Sequence, residues 1–182
     1  GDRIEGEARD VAKVHAAIAL EIADRDAPVQ KPCLLLSGGE TGVTVRGKGR
    51  GGRNVEFLLA LAIALGGDQR VTALAADTDG IDGMEQIAGA LIDPTSLDRA
   101  RAMDLDPMGF LENNDAHSLF EKLGDQVITG PTCRSSAIIS NSMSSTLRWI
   151  CRSPDHQPSC FMSTNRGSDT SFVSAASRSR MK

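Results

Sequence analysis

The order of apolar and polar positions predicts helices and short strands along the first two thirds of the chain. Apolar residues recur at helical spacing over residues 4–23, and the predicted helix ends before Pro28, because proline excludes helical geometry from the residue before it. An apolar run at residues 33–36 and an alternating apolar–polar segment at residues 43–46 flank the pair Gly38-Gly39, which predicts a strand, a tight turn and a second strand.

The following segments continue this alternation. Residues 55–65 predict an apolar helix with Asn54 as its N-cap, and residues 71–76 predict a buried strand. His15, inside the first helix, is expected to be a surface or packing residue and not a ligand. Residues 87–93 predict a short helix end followed by a buried strand. The remaining predicted elements are a helix over 94–103, a helix over 116–123 with Asp115 as its N-cap, and a strand at 127–129.

Composition fits a soluble domain in which helices pack on a sheet. The 182 residues are 40% hydrophobic and 24% charged, which is ordinary for a globular protein. Only 3% are aromatic, so the core must be built from Ala, Leu, Ile and Val. No apolar run approaches the ~20 residues that span a bilayer, and no signal peptide is visible. We therefore expect a cytoplasmic protein without a membrane partner.

Candidate chemistry begins in the glycine-rich stretch of residues 37–54. Gly38 and Gly39 favour an anion-binding nest of backbone N–H groups, although Glu40 beside them would repel an anion unless a metal or an arginine lies between. Three cations follow on a backbone almost free of Cβ atoms, and Asn54 opens a helix whose N-terminus adds partial positive charge. The alternative is a flexible basic loop. The three cations are Lys48, Arg50 and Arg53. The candidate residues for binding substrate or phosphate are Gly38, Gly39, Glu40, Lys48, Arg50 and Asn54.

An acidic loop follows the strand predicted at residues 71–76. Asp77, Asp79 and Asp82 lie just past the carboxyl end of that strand, where α/β sheets place ligands. Carboxylates spaced this closely suit Mg²⁺, which proteins commonly hold with one or two carboxylates plus substrate phosphates. The alternative is a solvated turn, since Asp, Thr and Gly are ordinary turn formers.

Several blocks of sequence, in order, resemble the C-terminal MOFRL domain of class II glycerate 2-kinases, a family that older annotation calls hydroxypyruvate reductase. The blocks are LLLSGGET, VTVRGKGRGGRN, AADTDGIDG, AGALIDPTS, LENNDAHSLFEKLGD and VITGPT, which lie within residues 34–132, and the resemblance as a whole covers residues 1–132. The resemblance implies an α/β fold, a layered domain of mixed sheet with helices packed on it. It also implies ATP-dependent phosphorylation of D-glycerate at its 2-hydroxyl, with ATP and Mg²⁺ as cofactors.

The same resemblance implies a larger N-terminal Rossmann-like domain that carries a catalytic lysine and much of the nucleotide site. This chain without that domain is expected not to turn over. Arg53 is the first candidate for binding phosphate or substrate carboxylate, because guanidinium pairs with such oxygens in bidentate fashion. Asp77 and Asp79 are candidates either for the Mg²⁺ shell or for activating the glycerate hydroxyl.

Two other functions stay open. An NAD-linked hydroxypyruvate reductase would need a dinucleotide fingerprint after a strand, and the glycines of residues 47–52 match one poorly because they follow an arginine-bearing strand and carry cations. The second alternative is a non-catalytic module that at most binds anions. A homodimer also stays open.

The composition changes abruptly where the resemblance stops, which places a boundary between residues 1–132 and residues 133–182. Residues 1–132 contain 13 Lys plus Arg and 22 Asp plus Glu, whereas residues 133–182 contain 7 Lys plus Arg and 2 Asp plus Glu. The second segment holds fourteen serines and three of the four cysteines without a periodic apolar pattern, apart from residues 137–139 and 147–150. We expect a poorly ordered tail, either a frame-shifted product or a natural basic extension. It has no recognition element, so no nucleic-acid partner is expected.

Overall fold

The computed structural model describes residues 3–130, and beyond them the backbone of three further strands. The elements of the first part are β1 (Ile4–Glu7), α1 (Ala8–Arg25), β2 (Leu34–Gly42), α2 (Arg53–Leu65), β3 (Thr72–Asp77), β4 (Gly89–Ile92), α3 (Ser96–Ala102), α4 (Pro107–Glu112), α5 (Ala116–Leu123) and β5 (Gln126–Val127). The further strands are β6 (Thr146–Cys151), β7 (Phe161–Ser163) and β8 (Phe172–Ser174).

Six strands form one mixed sheet in the order β1-β2-β6-β3-β4-β5. β1 and β2 are parallel, and every other neighbouring pair in this sheet is antiparallel. β7 and β8 pair with each other as a separate antiparallel ribbon. The expected layered α/β fold with a mixed sheet is confirmed.

The core lies between the sheet and the pair of helices α1 and α2. α2 is apolar on nearly all sides because it lies between α1 and the strands β3 and β4. Small residues let these layers approach closely: Ala12 of α1 and Ala75 of β3 are fully buried. The core is therefore built from Ala, Leu, Ile and Val, with Phe57 and Phe120 as its large aromatic members.

His15 is a packing residue, as predicted. Its ring lies edge-on to Phe57 at 5.3 Å between centroids. Nδ1 lies 2.8 Å from the Val11 carbonyl oxygen and must donate to it, so Nε2 of a neutral ring accepts from the Ser37 hydroxyl at 2.9 Å. This buried pair joins α1 to β2.

The tight turn predicted at Gly38-Gly39 is wrong. β2 continues through both glycines, and the strand predicted at residues 43–46 is part of an irregular loop that extends to α2. Gly39 has φ +142°, and a Cβ there would lie 2.1 Å from the Ile4 carbonyl oxygen of β1. The glycine is required because β1 lies directly beside β2 at this position, with Ile4 opposite Gly39. The prediction of an anion-binding nest at Gly38-Gly39 therefore loses its basis, because it depended on a turn.

Other boundaries moved for local reasons. The first predicted helix is divided, since residues 4–7 form β1 beside β2 and the helix begins at Ala8. α4 was missed, although Asp106 caps it by accepting from the Met108 N–H and Pro107 occupies its first position. The predicted helix over 94–103 is α3, and no helix end precedes β4, contrary to the prediction. The last predicted strand, β5, begins one residue earlier than predicted and is two residues long.

Most of the segment after Thr132, including the proposed domain boundary, lies outside the described residues, and its expected poor order stays a prediction. β6 comes from this segment and pairs with β2 on one side and β3 on the other. The short apolar run at residues 147–150 falls within it. No helix in the described part of the chain is long and apolar enough to cross a membrane.

Candidate functional site

A polar cleft of about 500 Å³ opens where the loop after β2, the N-terminus of α2 and the loop after β3 meet. The elements converge here because β2 and β3 both run toward the same end of the sheet, each paired with β6 between them. Its lining residues are Thr41, Val43, Val45, Gly49, Gly51, Gly52, Arg53, Glu56, Asp77, Asp79, Ile81, Gly83 and Asn114.

Arg53, the first residue of α2, lines the cleft and lies between two carboxylates, Asp77 inside the cleft and Glu40 outside its lining. Its Nε and Nη2 atoms donate to Asp77 Oδ2 at 3.2 and 2.8 Å, and its Nη1 donates to Glu40 Oε1 at 2.8 Å. Its side chain is 22% exposed. The arginine that the sequence required between Glu40 and any bound anion is therefore present, and it is Arg53.

Asp77 is the buried carboxylate of the site, with a side chain only 2% exposed. Burial raises the pKa of Asp77, and the Arg53 guanidinium opposes that rise. Its Oδ1 accepts from the Thr78 N–H, while Oδ2 also lies 3.4 Å from Asn54 Nδ2. Asp77 and Arg53 thus form a fixed ion pair between the end of β3 and the start of α2.

Asp82 does not face the cleft as a metal ligand, contrary to the prediction. It is fully buried, and its two oxygens accept from the Asn54 N–H at 3.0 Å and the Val55 N–H at 2.9 Å. Burial raises the pKa of Asp82, and these backbone N–H groups oppose the rise. The carboxylate caps α2 from another part of the chain, so it occupies the helix N-terminus where the sequence predicted a phosphate.

Asn54 is the second residue of α2, so its prediction as the N-cap is wrong. The N-cap is Gly52, which supplies no side chain. Asn54 Nδ2 donates to Asp82 Oδ1 at 3.1 Å, and its buried Oδ1 has no hydrogen-bond partner among the described residues. Asn54 therefore supports the two carboxylates from beneath the cleft and does not line it.

Asp79 lines the cleft and is partly exposed. Its Oδ1 accepts from the Ile81 N–H at 2.9 Å, which fixes the turn after β3. Within residues 3–130 no group of three or more His, Cys, Asp or Glu side chains is arranged to hold a metal ion. Asp77 and Asp79 remain a set of two carboxylates at the cleft, which fits a Mg²⁺ ion that takes its other ligands from phosphate and water.

Lys48 and Arg50 do not line the cleft. Arg50 forms a bidentate pair with Glu85, at 3.0 and 2.8 Å, and lies 3.5 Å from Glu121. The Arg50 guanidinium accordingly lowers the pKa of Glu85. Lys48 is exposed, and its backbone N–H donates to Asn113 Oδ1. Of the three predicted cations, only Arg53 lines the cleft.

The glycine-rich loop is pinned against the loop between α4 and α5, so it is not the flexible basic loop of the alternative interpretation. Gly49 N–H donates to the Asn113 carbonyl at 2.9 Å, and a Cβ on Gly47 would lie 2.1 Å from the same oxygen. Asp115 occupies the N-cap position of α5, as predicted, but its Oδ1 accepts from the Arg50 N–H and the Ser118 hydroxyl and caps no helix N–H. The glycines serve close packing of two loops.

Sequence reasoning missed a buried polar group behind the loop. Glu56 is 2% exposed inside the apolar helix α2, where it pairs with Arg9 of α1 and accepts from Asn114 Nδ2 at 3.1 Å. Asn114 Oδ1 accepts from the N–H groups of Arg46 and Gly47 at 2.7 and 2.9 Å. A single carboxylate in an otherwise apolar helical run was the signal that could have identified this group.

Comparison with known proteins places the site in context. The MOFRL family matches residues 33–135. A protein of Agrobacterium vitis named hydroxypyruvate reductase is 51% identical over 134 residues, covering 72% of this chain and 31% of the relative. The D-glycerate 2-kinase of Thermotoga maritima is 43% identical over 129 residues, covering 71% of this chain and 31% of the relative.

Solved structures agree with these matches. A crystal structure of glycerate kinase from Thermotoga maritima superposes with a TM-score of 0.75 and 37% identity, covering 84% of this chain and 35% of that one. A structure from Pyrococcus horikoshii gives a TM-score of 0.72 and 30% identity, covering 83% of this chain and 33% of that one. The chain spans about a third of the length of the relatives that it matches.

Proposed function

Since the chain belongs to the MOFRL family, we propose that it forms the substrate-side domain of a glycerate 2-kinase, which transfers the γ-phosphoryl group of ATP to the 2-hydroxyl of D-glycerate. Relatives from Thermotoga maritima and Pyrococcus horikoshii named D-glycerate 2-kinase and glycerate 2-kinase support this proposal. The kinase activity belongs to a longer protein, in which a Rossmann-like N-terminal domain supplies most of the ATP site. The isolated chain is then inactive.

The observation that carries the proposal is the position of Arg53 in the cleft. A partly exposed guanidinium at the start of α2 presents donors in a plane, and that arrangement matches a carboxylate or a phosphate better than a lysine would. Phosphoryl transfer depends on such positioning and on neutralising charge on the transferring group. Arg53 would orient the glycerate carboxylate or stabilise the transferred phosphoryl group.

Asp77 and Asp79 would serve the reacting hydroxyl. The raised pKa of Asp77 makes this carboxylate a better proton acceptor than an exposed aspartate, because a general base works best with a pKa nearer the working pH. Asp79 lies on the same loop and is more accessible. The alternative role of the same two carboxylates is to hold the Mg²⁺ of bound Mg·ATP, which would neutralise phosphate charge.

Hydroxypyruvate reduction is the second candidate, and the name of the Agrobacterium vitis relative favours it. The geometry gives it less support, because the glycine-rich loop lies against residues 113–115 and does not follow a strand directly in the manner of a dinucleotide fingerprint. A third reading, a non-catalytic module that binds anions, predicts binding of D-glycerate or phosphate by the isolated chain without turnover in any context.

A chimera tests the kinase proposal. Residues 3–130, which include α1 and Asp24, replace the matching segment of the Thermotoga maritima D-glycerate 2-kinase, and 2-phosphoglycerate formed from ATP and D-glycerate is followed by phosphorus NMR. We expect an active chimera that loses about 100-fold or more in kcat/KM with Arg53→Lys, the usual cost of removing a charge-stabilising donor. Arg70→Lys is the matched control, because Arg70 is also paired with two carboxylates, Asp24 and Asp68, outside the cleft.

Two results would reject the proposal. One is consumption of NADH with hydroxypyruvate, without ATP, by the chimera or by a full-length protein containing this chain. The other is an active chimera in which Arg53→Lys and Arg70→Lys have equal effects, since Arg53 would then have no special role in the reaction.

A further inference from the structure

The two carboxylates that hold Arg53 differ sharply in their exposure to water. The Asp77 side chain is 2% exposed, whereas the Glu40 side chain is 59% exposed. Asp77 takes the Nε and Nη2 donors of the guanidinium, and Glu40 takes Nη1. The same cation is thus held on one side by a buried partner and on the other by a solvated one.

This difference decides which partner can leave. Removing Arg53 from Asp77 would leave a buried charge without its cation, which is strongly unfavourable. Asp77 is also fixed by the Thr78 N–H and Asn54 Nδ2. Releasing Glu40 only returns an exposed carboxylate to water, and ion pairs of that kind are worth little. An arriving anion therefore replaces Glu40 and leaves Asp77 in place.

We propose that Glu40 is an internal, displaceable ligand of Arg53, whose carboxylate occupies the Nη1 donor until the carboxylate or phosphoryl group of a substrate replaces it. The sequence placed Glu40 among the substrate-binding residues and also predicted that it would repel an anion unless an arginine lay between them. The geometry supplies that arginine and favours the second prediction. Glu40 competes with the anion and lowers its apparent affinity. For glycerate the inference rests on the proposed function, but for inorganic phosphate it rests only on the Arg53 geometry.

In the absence of an anion Glu40 has a useful role. It holds the guanidinium in a fixed orientation, so that the Arg53 side chain loses little further conformational entropy when the substrate binds. The exchange is one carboxylate or phosphate for another, which leaves the charge around Arg53 nearly unchanged. A neutral molecule gains nothing from it, so the contact favours anionic substrates over neutral ones.

Calorimetric titration of the full 182-residue chain with inorganic phosphate, and separately with D-glycerate, tests the proposal. Glu40→Gln should tighten phosphate binding about twofold to fivefold, the range expected for an exposed ion pair. Glu21→Gln is the matched control, because it also removes one charge from a glutamate–arginine pair, at 2.8 Å from Arg25 on α1, and neither residue lines the cleft. Its affinity for phosphate should equal that of the unmodified chain.

A second pair of variants separates displacement from a general effect of charge. In an Arg53→Lys background the gain from Glu40→Gln should disappear, because the competition acts through the guanidinium. Any one of four results overturns the proposal. These are a gain in phosphate affinity that persists in the Arg53→Lys background, no gain from Glu40→Gln, weaker phosphate binding by Glu40→Gln, and no phosphate binding by any variant. Phosphate binding with the expected pattern, together with a chimera that makes no 2-phosphoglycerate, would reject the kinase function and keep the exchange at Arg53.

Discussion

Gly52→Ala should destabilise the protein although the backbone at Gly52 suits alanine. Gly52 has φ −130° and ψ −175°, which is extended backbone that any residue adopts. A Cβ there would lie 2.3 Å from Asp82 Oδ1 and 2.5 Å from the Asp82 carbonyl carbon. The added methyl group therefore has to push Asp82 away from the N-terminus of α2. Movement of the Asp82 carboxylate alone cannot relieve the clash, because the Asp82 backbone is almost as close.

The size of the effect follows from what Asp82 loses. Its carboxylate accepts from the N–H groups of Asn54 and Val55 in a fully buried setting. Overpacking alone costs about 1–3 kcal/mol, and weakening hydrogen bonds to a buried charge costs about 1.5–3 kcal/mol. Because the two costs overlap, we expect Gly52→Ala to lower the free energy of unfolding by about 2–4 kcal/mol.

Urea denaturation of the full chain measures this difference as a shift in the midpoint at unchanged slope. Gly42→Ala is the matched control, because no atom of the described residues lies within 4 Å of its Cβ position and its φ is not left-handed. It should be neutral or stabilise by up to about 1 kcal/mol through the unfolded state. Equal stabilities of the Gly52→Ala and Gly42→Ala variants would refute the assignment of Asp82 as the cap of α2.

Three further predictions concern contacts around the site. Asn114→Ala should release the two backbone amides of the glycine-rich loop that its Oδ1 holds, and faster hydrogen exchange there checks this; unchanged protection would contradict it. Ser37→Ala should lower the free energy of unfolding by about 1–3 kcal/mol, because His15 Nε2 loses its hydrogen-bond donor. A decrease below about 0.5 kcal/mol in urea denaturation would contradict the hydrogen bond between Ser37 and His15. Arg50 lowers the pKa of Glu85 in the folded protein, so the pair stabilises the protein at pH values above the unfolded-state pKa of Glu85. This contribution is lost as the pH falls through the folded-state pKa. Glu85→Gln should remove that pH dependence of the free energy of unfolding.

The controls for these variants come from neighbouring residues. Asn113→Ala removes a side chain that holds only the Lys48 amide, so the amides held by Asn114 should keep their protection. Glu121→Gln removes the more distant partner of Arg50, at 3.5 Å, and should keep most of the acid dependence of stability. The Glu85 effect itself should stay below about 1 kcal/mol, because the Arg50 side chain is half exposed.

The sequence by itself determined the local elements and part of the chemistry. Apolar spacing placed α1, α2, β3 and α5 close to their observed bounds, because helical and strand periods follow from local geometry. The sequence also indicated Arg53, Asp77 and Asp79 as members of one site, and all three line the cleft. Residues that follow a strand or open a helix are positioned by that element, so their general location could be predicted.

Only the tertiary structure decided which partner each polar group meets. Whether Gly39 formed a turn or continued a strand depended on Ile4 of β1, and the role of Asp82 depended on amides 27 and 28 positions earlier in the chain. Arg50 and Arg53 lie three positions apart, yet one meets Glu85 and the other Asp77. Hydrogen bonds and charges act over a few ångströms of space, and separation along the chain does not specify that distance.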